Sequence, residues 1–274
     1  MGKRYLLIVR AGNRSHHPGW LLPEPVPRPW DLHISYFGLR ENPFGELPPG
    51  VSLSRERGPK YIGLHECLMA QADIVDRYAY IGFPDDDLVC TAKDWTTTFS
   101  VLDAIDADLG QPALDSRSFY SYDITLRRRW LDYREVDFVE LMCPVFKKEF
   151  LNRVQPTFVL NRSSWGLDLV WREIARRERR RLAIVDRVSV LHTRAIGAGE
   201  QYSPANLGER SPHEEYRDIL TTFSISDTSR RTLAGVRTNG GRVKNAFLLN
   251  RHLKLPGLRR KWRAMRGTET TSLS

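Results

Sequence analysis

Hydrophobic and polar positions alternate along this chain in blocks that predict strands and helices in turn. Lys3–Val9 carries the uninterrupted apolar run Leu6–Val9, the pattern of a buried strand. Residues 10–30 hold Gly12, Gly19 and five prolines and predict a loop. Asp31–Phe37 reads as a second strand, and 38–58 as another Pro/Gly loop. Lys60–Ala72 has helical character, and Tyr78–Phe83 is a short aromatic and β-branched strand stopped by Pro84. Trp95, Phe99, Leu102 and Ile105 fall on one helical face.

Further along, 110–140 reads as short strands and loops, and Val145–Val154 as a helix. Asp168 to about Arg181 reads as a helix with an arginine-rich outer face, and Leu182–Leu191 as a strand pair or one broken strand. Strands alternating with helices over 3–192 predict an α/β sandwich. Residues 196–211 are rich in Gly, Pro and Ser and suggest a boundary, so residues 1–195 are expected as the α/β domain. Residues 196–274 are expected as a C-terminal extension, with helices over His213–Phe223 and about Arg242–Arg266 outside the core.

Composition excludes more than it specifies. The 274 residues are 41% hydrophobic and 27% charged, ordinary for a globular protein and unlike a disordered chain or a fibre. No apolar run reaches the ~18–20 residues of a spanning helix, and Leu6–Val9 is shorter than the ~7–15 of a signal-peptide core. Cys67, Cys90 and Cys143 are too dispersed for a disulfide framework or a zinc site, so a reducing cytoplasm is the simplest compartment. The net charge of +9 is unevenly placed: Ser229–Gly267 holds 12 Lys/Arg and no Asp/Glu, and the remainder has 30 basic against 33 acidic residues. Within that tail, Leu258, Trp262 and Met265 of GLRRKWRAMR would share a helical face. An anionic membrane surface fits such a helix, as does packing on the domain; no nucleic-acid fold signature accompanies it, so no nucleic-acid partner is expected.

The sharpest chemical feature is Asp85-Asp86-Asp87, directly after an apolar strand. Three adjacent carboxylates repel unless water or a cation offsets them, and Mg2+ or Mn2+ binds one or two carboxylates while keeping sites for phosphate and water. The alternative is a solvated acidic turn. Ser164-Trp165-Gly166-Leu167-Asp168 places a carboxylate at a helix start, read either as ordinary helix entry or as a base for a hydroxyl nucleophile. His192, at a strand end, is a structural histidine or a third metal ligand. Glu140 lies between apolar residues and is either a paired buried carboxylate or a group that touches a sugar. Arg10, Asn13 and Arg14 follow the first strand and Lys60 opens a helix, positions where cations hold phosphate or merely decorate the surface. Arg127-Arg128-Arg129 reads as a solvated face.

Several of these stretches occur together in a recognisable order: Phe-Pro-Asp-Asp-Asp-Leu (83–88), Gln-Pro-Ala-Leu-Asp (111–115), Ile-Thr-Leu-Arg-Arg-Arg (124–129), Phe-Val-Glu-Leu-Met-Cys-Pro-Val-Phe (138–146), Trp-Gly-Leu-Asp (165–168) and Ile-Val-Asp…Val-Leu-His (184–192). Over roughly residues 3–195 the chain resembles the domain of unknown function 707 family, regarded as glycosyltransferase-like. Asp86 stands where that family usually has Glu, and Ser164 where it usually has Gly before the tryptophan motif.

The resemblance implies a GT-A-like nucleotide-diphospho-sugar transferase sandwich with a mixed central sheet, here with a basic helical C-terminal extension. It implies an Asp-x-Asp metal site at Asp85 and Asp87 with His192, binding Mn2+ or Mg2+, and Asp168 as catalytic base. Arg10, Asn13, Lys60, Asp85 and Asp86 would contact a nucleotide-diphosphate sugar donor. Glu140, Trp165 and Gly166 would contact the sugar or acceptor, a carbohydrate or lipid-linked glycan of polysaccharide biosynthesis at the inner membrane face. The alternatives are a non-catalytic binder of GT-A type and a metal-dependent phosphohydrolase, whose Asp-x-Asp-x-Thr/Val pattern Asp85–Val89 fits weakly.

Overall fold

The computed structural model describes residues 4–21, 28–195, 208 and 210–250. An eleven-stranded mixed sheet runs through the molecule. Its strands are β1 Tyr5–Ala11, β2 Trp30–Tyr36, β3 Val51–Arg55, β4 Tyr80–Gly82, β5 Leu88–Val89, β6 Leu109–Leu114, β7 Leu131–Val136, β8 Val145–Lys147, β9 Leu182–His192, β10 Thr232–Arg237 and β11 Arg242–Val243. The order across the sheet is β11-β10-β7-β9-β6-β8-β4-β1-β2-β3, with β5 paired to β9 off this path. Strands β4, β1, β2 and β3 are mutually parallel, as are β6 and β9; β8, β7, β10 and β11 join antiparallel.

Helices cover both faces. They are α1 His17–Trp20, α2 Lys60–Ala70, α3 Ala72–Val75, α4 Ala92–Ala104, α5 Lys148–Val154, α6 Leu167–Arg177, α7 Pro212–Thr222 and α8 Ala246–Asn250. This is why β1 is apolar from Tyr5 to Val9: all seven of its residues are buried. Leu6 and Ile8 pack with α2, α5, α6 and α7, whereas Tyr5, Leu7 and Val9 pack with α1 and α4. Helix α4 opens on a capping box of Thr91 and Asp94 and buries Trp95, Phe99 and Leu102. Helix α6 is anchored by Trp171, whose ring meets Tyr61 and Phe146 at 5.3 and 5.1 Å.

Five expectations change. The edge strand β3 lies inside the expected 38–58 loop, because its polar residues serve a parallel pairing with β2 that sequence alone does not show. Val145–Lys147 is a strand between β4 and β6, and the helix starts only at Lys148. Leu182–His192 is one continuous strand, with a register shift against β6. Helix α7 is not outside the core: Ile219 is buried against the α6 side of the sheet, and β10 pairs with β7 in the main sheet. Arg242–Val243 is a strand rather than the start of a long helix, and residues 251–274, with the tail motif, lie outside the described residues.

Candidate functional site

The aspartate triplet sits at the carboxyl end of β4, where β1 also ends; Asp85 bridges Arg10 of β1 through the backbone. Each of its three side chains meets a different positively charged or imidazole partner. Asp85 Oδ1 lies 2.6 Å from Lys60 Nζ, at the start of α2. Lys60 also donates to the carbonyls of Leu141 (2.6 Å) and Met142 (3.3 Å). Asp86 accepts from the Gly12 backbone N–H (2.9 Å) and from Arg194 Nη1 (2.7 Å). Asp87 Oδ2 lies 3.1 Å from His192 Nε2.

Strand pairing builds that last contact. Leu88 of β5 stands opposite His192 of β9, and the Thr193 N–H and hydroxyl both donate to the Asp87 carbonyl. The His192 N–H donates to Ser118 Oγ at 3.1 Å, and Nδ1 lies 2.8 Å from the Phe119 carbonyl. A carbonyl only accepts, so Nδ1 carries the proton and Nε2 is the atom presented to the aspartates. Burial disfavours the imidazolium, but the hydrogen bond to Asp87 and the charges of Asp87 and Asp85 together raise its pKa.

Asp85, Asp87 and His192 offer ligand atoms that all lie within 4.8 Å of one another. The buried Asp87 Oδ1 has no hydrogen-bond partner. Two carboxylates and an imidazole with an orphaned oxygen fit a hard divalent cation.

A second acidic pair lies beside this cluster. Glu140 and Asp168 are only 5% and 4% exposed. Burial pushes Glu140 up to about 7, with Asp168 adding to the rise, while a Ser121 hydrogen bond and His192 oppose it. Burial likewise pushes Asp168 up to about 6, opposed first by the Arg230 guanidinium. Glu140 therefore feels the charges of Asp168, His192 and Asp85, and one of its buried oxygens, Oε2, has no hydrogen-bond partner. Its backbone N–H is fixed by Gln111 Oε1 at 2.7 Å.

The turn that delivers Asp168 is tightly specified. Gly166 caps α6 at φ +90°, and a Cβ there would stand 2.9 Å from Ile219 of α7. Ser164 also sits in the left-handed region, at φ +68°, with its N–H on Asn161 Oδ1 at 2.9 Å. Glycine would adopt that backbone without a Cβ penalty. Glu215 of α7, buried, accepts from the N–H groups of Arg162 (3.1 Å) and Ser163 (2.7 Å). Trp165 packs edge-on to His213 at 5.0 Å, so it serves the α7 contact.

Among the expected donor contacts, Lys60, Asp85 and Asp86 lie together. Arg10 does not join them through its side chain: its guanidinium donates to Ser35 Oγ and to the carbonyls of Glu56 and Gly58, drawn there by Glu56. Asn13 accepts a hydrogen bond from the Tyr36 hydroxyl. Arg128, expected on a solvated face, is partly buried, and burial beside Arg134 lowers its pKa to about 10. Its backbone N–H donates to Asp186, which pairs with Arg134 at 2.7 Å in full burial. Sequence reasoning missed Arg194 and Arg230. Arg194 directly follows His192-Thr193, a position that pointed to the site; Arg230 had no such signal.

The family described as Protein of unknown function (DUF707) matches residues 68–231, more than half of the chain. The chain belongs to the DUF707 family. No curated protein matches the sequence. Solved structures do match this DUF707 chain, among them one titled "Crystal structure of GalNAc-T7 with UDP, GalNAc and Mn2+". The superposition has a TM-score of 0.55 at 11% identity, over 80% of this chain and 47% of that one, so the DUF707 protein spans about half the length of its structural neighbour. The likeness shows that the DUF707 fold is GT-A-like. Among the described residues no helix is long and apolar enough to cross a membrane.

Proposed function

We propose that this DUF707 protein is a metal-dependent glycosyltransferase that moves a sugar from a nucleotide-diphosphate donor to a glycan or lipid-linked acceptor. The observation that carries the reading is the convergence of Asp85, Asp87 and His192 around an orphaned carboxylate oxygen, at the strand ends of a GT-A-like sheet. The Mn2+ and UDP named for the structural neighbour support the same reading.

Asp85, Asp87 and His192 would hold Mn2+ or Mg2+. When bound, the cation neutralises charge that develops on the departing diphosphate. Lys60 keeps Asp85 oriented, and Arg194 with the Gly12 N–H ties Asp86 to the loop after β1. Asp168 takes the proton from the acceptor hydroxyl as its oxygen bonds to the anomeric carbon and the carbon–phosphate-oxygen bond breaks. A base titrating near 6 is matched to that task at neutral pH. Glu140 hydrogen-bonds sugar hydroxyls. The basic tail outside the described residues docks the enzyme on anionic lipid at the cytoplasmic face.

A thermal-shift series with UDP, GDP, CDP and TDP, each with and without Mn2+, tests the donor site. At about 100 times Kd a ligand adds roughly 2.7 kcal/mol. One nucleotide should raise the melting temperature only with metal, and D87N should remove the effect. No shift with any nucleotide, in folded protein, would refute the donor site; binding without sugar transfer or donor hydrolysis would leave a non-catalytic binder.

A further inference from the structure

A second cluster of hydrogen-bonded side chains lies on the α2 face of the sheet, where the edge strand β3 meets β2. His33 stands opposite Ser52 in the parallel ladder. Its Nδ1 lies 2.8 Å from Ser52 Oγ, and its Nε2 lies 2.7 Å from Ser54 Oγ. Ser54 donates to Glu56 Oε1 at 2.6 Å, and Ser35 donates to Glu56 Oε2. Arg10 Nη1 closes the chain on Ser35 Oγ at 2.9 Å and lies 3.8 Å from the same carboxylate. His33, Glu56, Ser35 and Arg10 are buried, whereas Ser52 is exposed.

The carboxylate sets the direction of the chain. Glu56 accepts the Ser54 proton, so Ser54 Oγ receives the Nε2 proton of His33. Burial lowers the His33 pKa, against the pull of Glu56, so the imidazole is neutral and carries only that proton. Nδ1 is then a lone pair, and the Ser52 hydroxyl donates to it. A hydroxyl committed to a neutral imidazole, itself oriented through a third group, is the arrangement that activates a serine nucleophile. Ser52 and His33 also line a cavity of about 200 Å3 whose apolar wall is Leu6, Ile8, Val51 and Val75. A dry cavity of about 150 Å3 takes benzene, so a short acyl or aryl group fits here. The lining among the described residues includes Asp31 and neither lysine nor arginine, which disfavours an anionic ligand. The cavity flanks the first four residues of β1 and β2, away from the strand ends that carry the aspartate triplet.

We propose that Ser52 is the nucleophile of a second active centre that hydrolyses uncharged esters of short acyl chains, with His33 as its base and Ser54 and Glu56 holding His33 in the required tautomer. Ser52 Oγ bonds to the acyl carbon while its proton passes to His33 Nδ1, and the alcohol of the ester leaves with that proton. Water then attacks the acyl carbon and gives a proton to His33, which returns it to Ser52 Oγ as the acid departs. Ser54 and Glu56 touch no substrate; they are positioning residues that act through His33. Neither nucleotide nor metal enters this reaction, so it stands apart from the transferase reading.

The test treats the full chain, in EDTA, with phenylmethanesulfonyl fluoride and follows the adduct by intact-protein and peptide mass spectrometry. Ser52 should lose its proton, take one sulfonyl group and release fluoride. Hydrolysis of p-nitrophenyl butyrate by the wild type should fall with the same time course. H33Q should slow the labelling at least about 100-fold, and S54A, which unhooks Nε2 from Glu56, should slow it less. If H33Q does not fold, S54A is read in its place. Folded wild type that leaves Ser52 unlabelled in excess reagent would overturn the proposal with no variant needed. Labelling of H33Q at the wild-type rate would overturn it too, and would leave the chain as hydrogen bonding for a buried histidine. Adduct formation without hydrolysis of the butyrate ester would overturn the esterase assignment.

Discussion

Asp168→Asn offers the most direct probe of the site before any substrate is known. Asp168 is almost fully buried, and its pKa rises from 3.8 to about 6 on folding. A raised carboxylate stabilises the fold while it is protonated, below its unfolded pKa, and that stability is lost as pH climbs through the folded value. Two units of displacement correspond to about 3 kcal/mol in all, of which about 1.4 kcal/mol is recovered by acidifying from pH 8 to pH 5. Asparagine keeps the acceptor oxygen for the Leu169 N–H, 2.9 Å from Oδ1 in the wild type, but cannot titrate. The melting temperature of D168N relative to wild type should therefore be about 2–3 °C higher at pH 8 than at pH 5, in metal-free buffer. Glu140 reinforces the trend, because loss of the Asp168 charge relaxes its own upward shift. Circular dichroism melts at the two pH values suffice. A difference independent of pH, or one that grows toward acid, would show that Asp168 is not held in a charge-disfavouring site.

Two further outcomes follow from the turn before α6. Ser164→Gly should raise stability by about 0.5–1 kcal/mol, since glycine adopts φ +68° without the Cβ penalty; an equal or lower melting temperature would contradict the strain. Glu215→Ala should cost about 2–3 kcal/mol, because it strips charge-assisted acceptors from two backbone N–H groups at the turn. Metal-dependent nucleotide binding should survive in Glu215→Ala, as Asp85, Asp87 and His192 lie on other elements; its loss would show that the α7 brace reaches the metal cluster.

Local pattern carried the parts of the fold whose partners do not matter. The apolar run of β1, the one-sided face of α4 and the acidic triplet after β4 are visible in the sequence because each depends on its own spacing. Residues that depend on distant partners were hidden. β3 is polar and short, and only its parallel pairing with β2 makes it a strand. Arg10 looks like a loop cation until Glu56, Ser35 and Gly58 close around it. Helix α7 reads as peripheral because nothing local reveals that Ile219 fills the space left by Gly166. The candidate ligands Asp85, Asp87 and His192 were legible from residue type and order, whereas Arg194 reaches Asp86 only through tertiary structure.

The triplet itself shows why residue type and geometry must be read together. Three consecutive ionised carboxylates would repel strongly if their side chains shared a space. Here the turn after β4 gives each its own partner, Asp85 Lys60 of α2, Asp86 Arg194 beyond β9 and Asp87 His192 at the end of β9, while Asp85 and Asp87 keep ligand oxygens within 4.8 Å of each other. These counter-charges are not equivalent. Lys60 is also held by two carbonyls, and Arg194 also donates to the Arg14 carbonyl, so both are committed to the scaffold. His192 faces Asp87, the member of the triplet with an unbonded buried oxygen. Asp86 is thus occupied in joining the loop after β1 to the segment after β9. Of the three acids Asp87 is the one the fold leaves available, and a cation ligand there uses an oxygen that the protein itself does not satisfy.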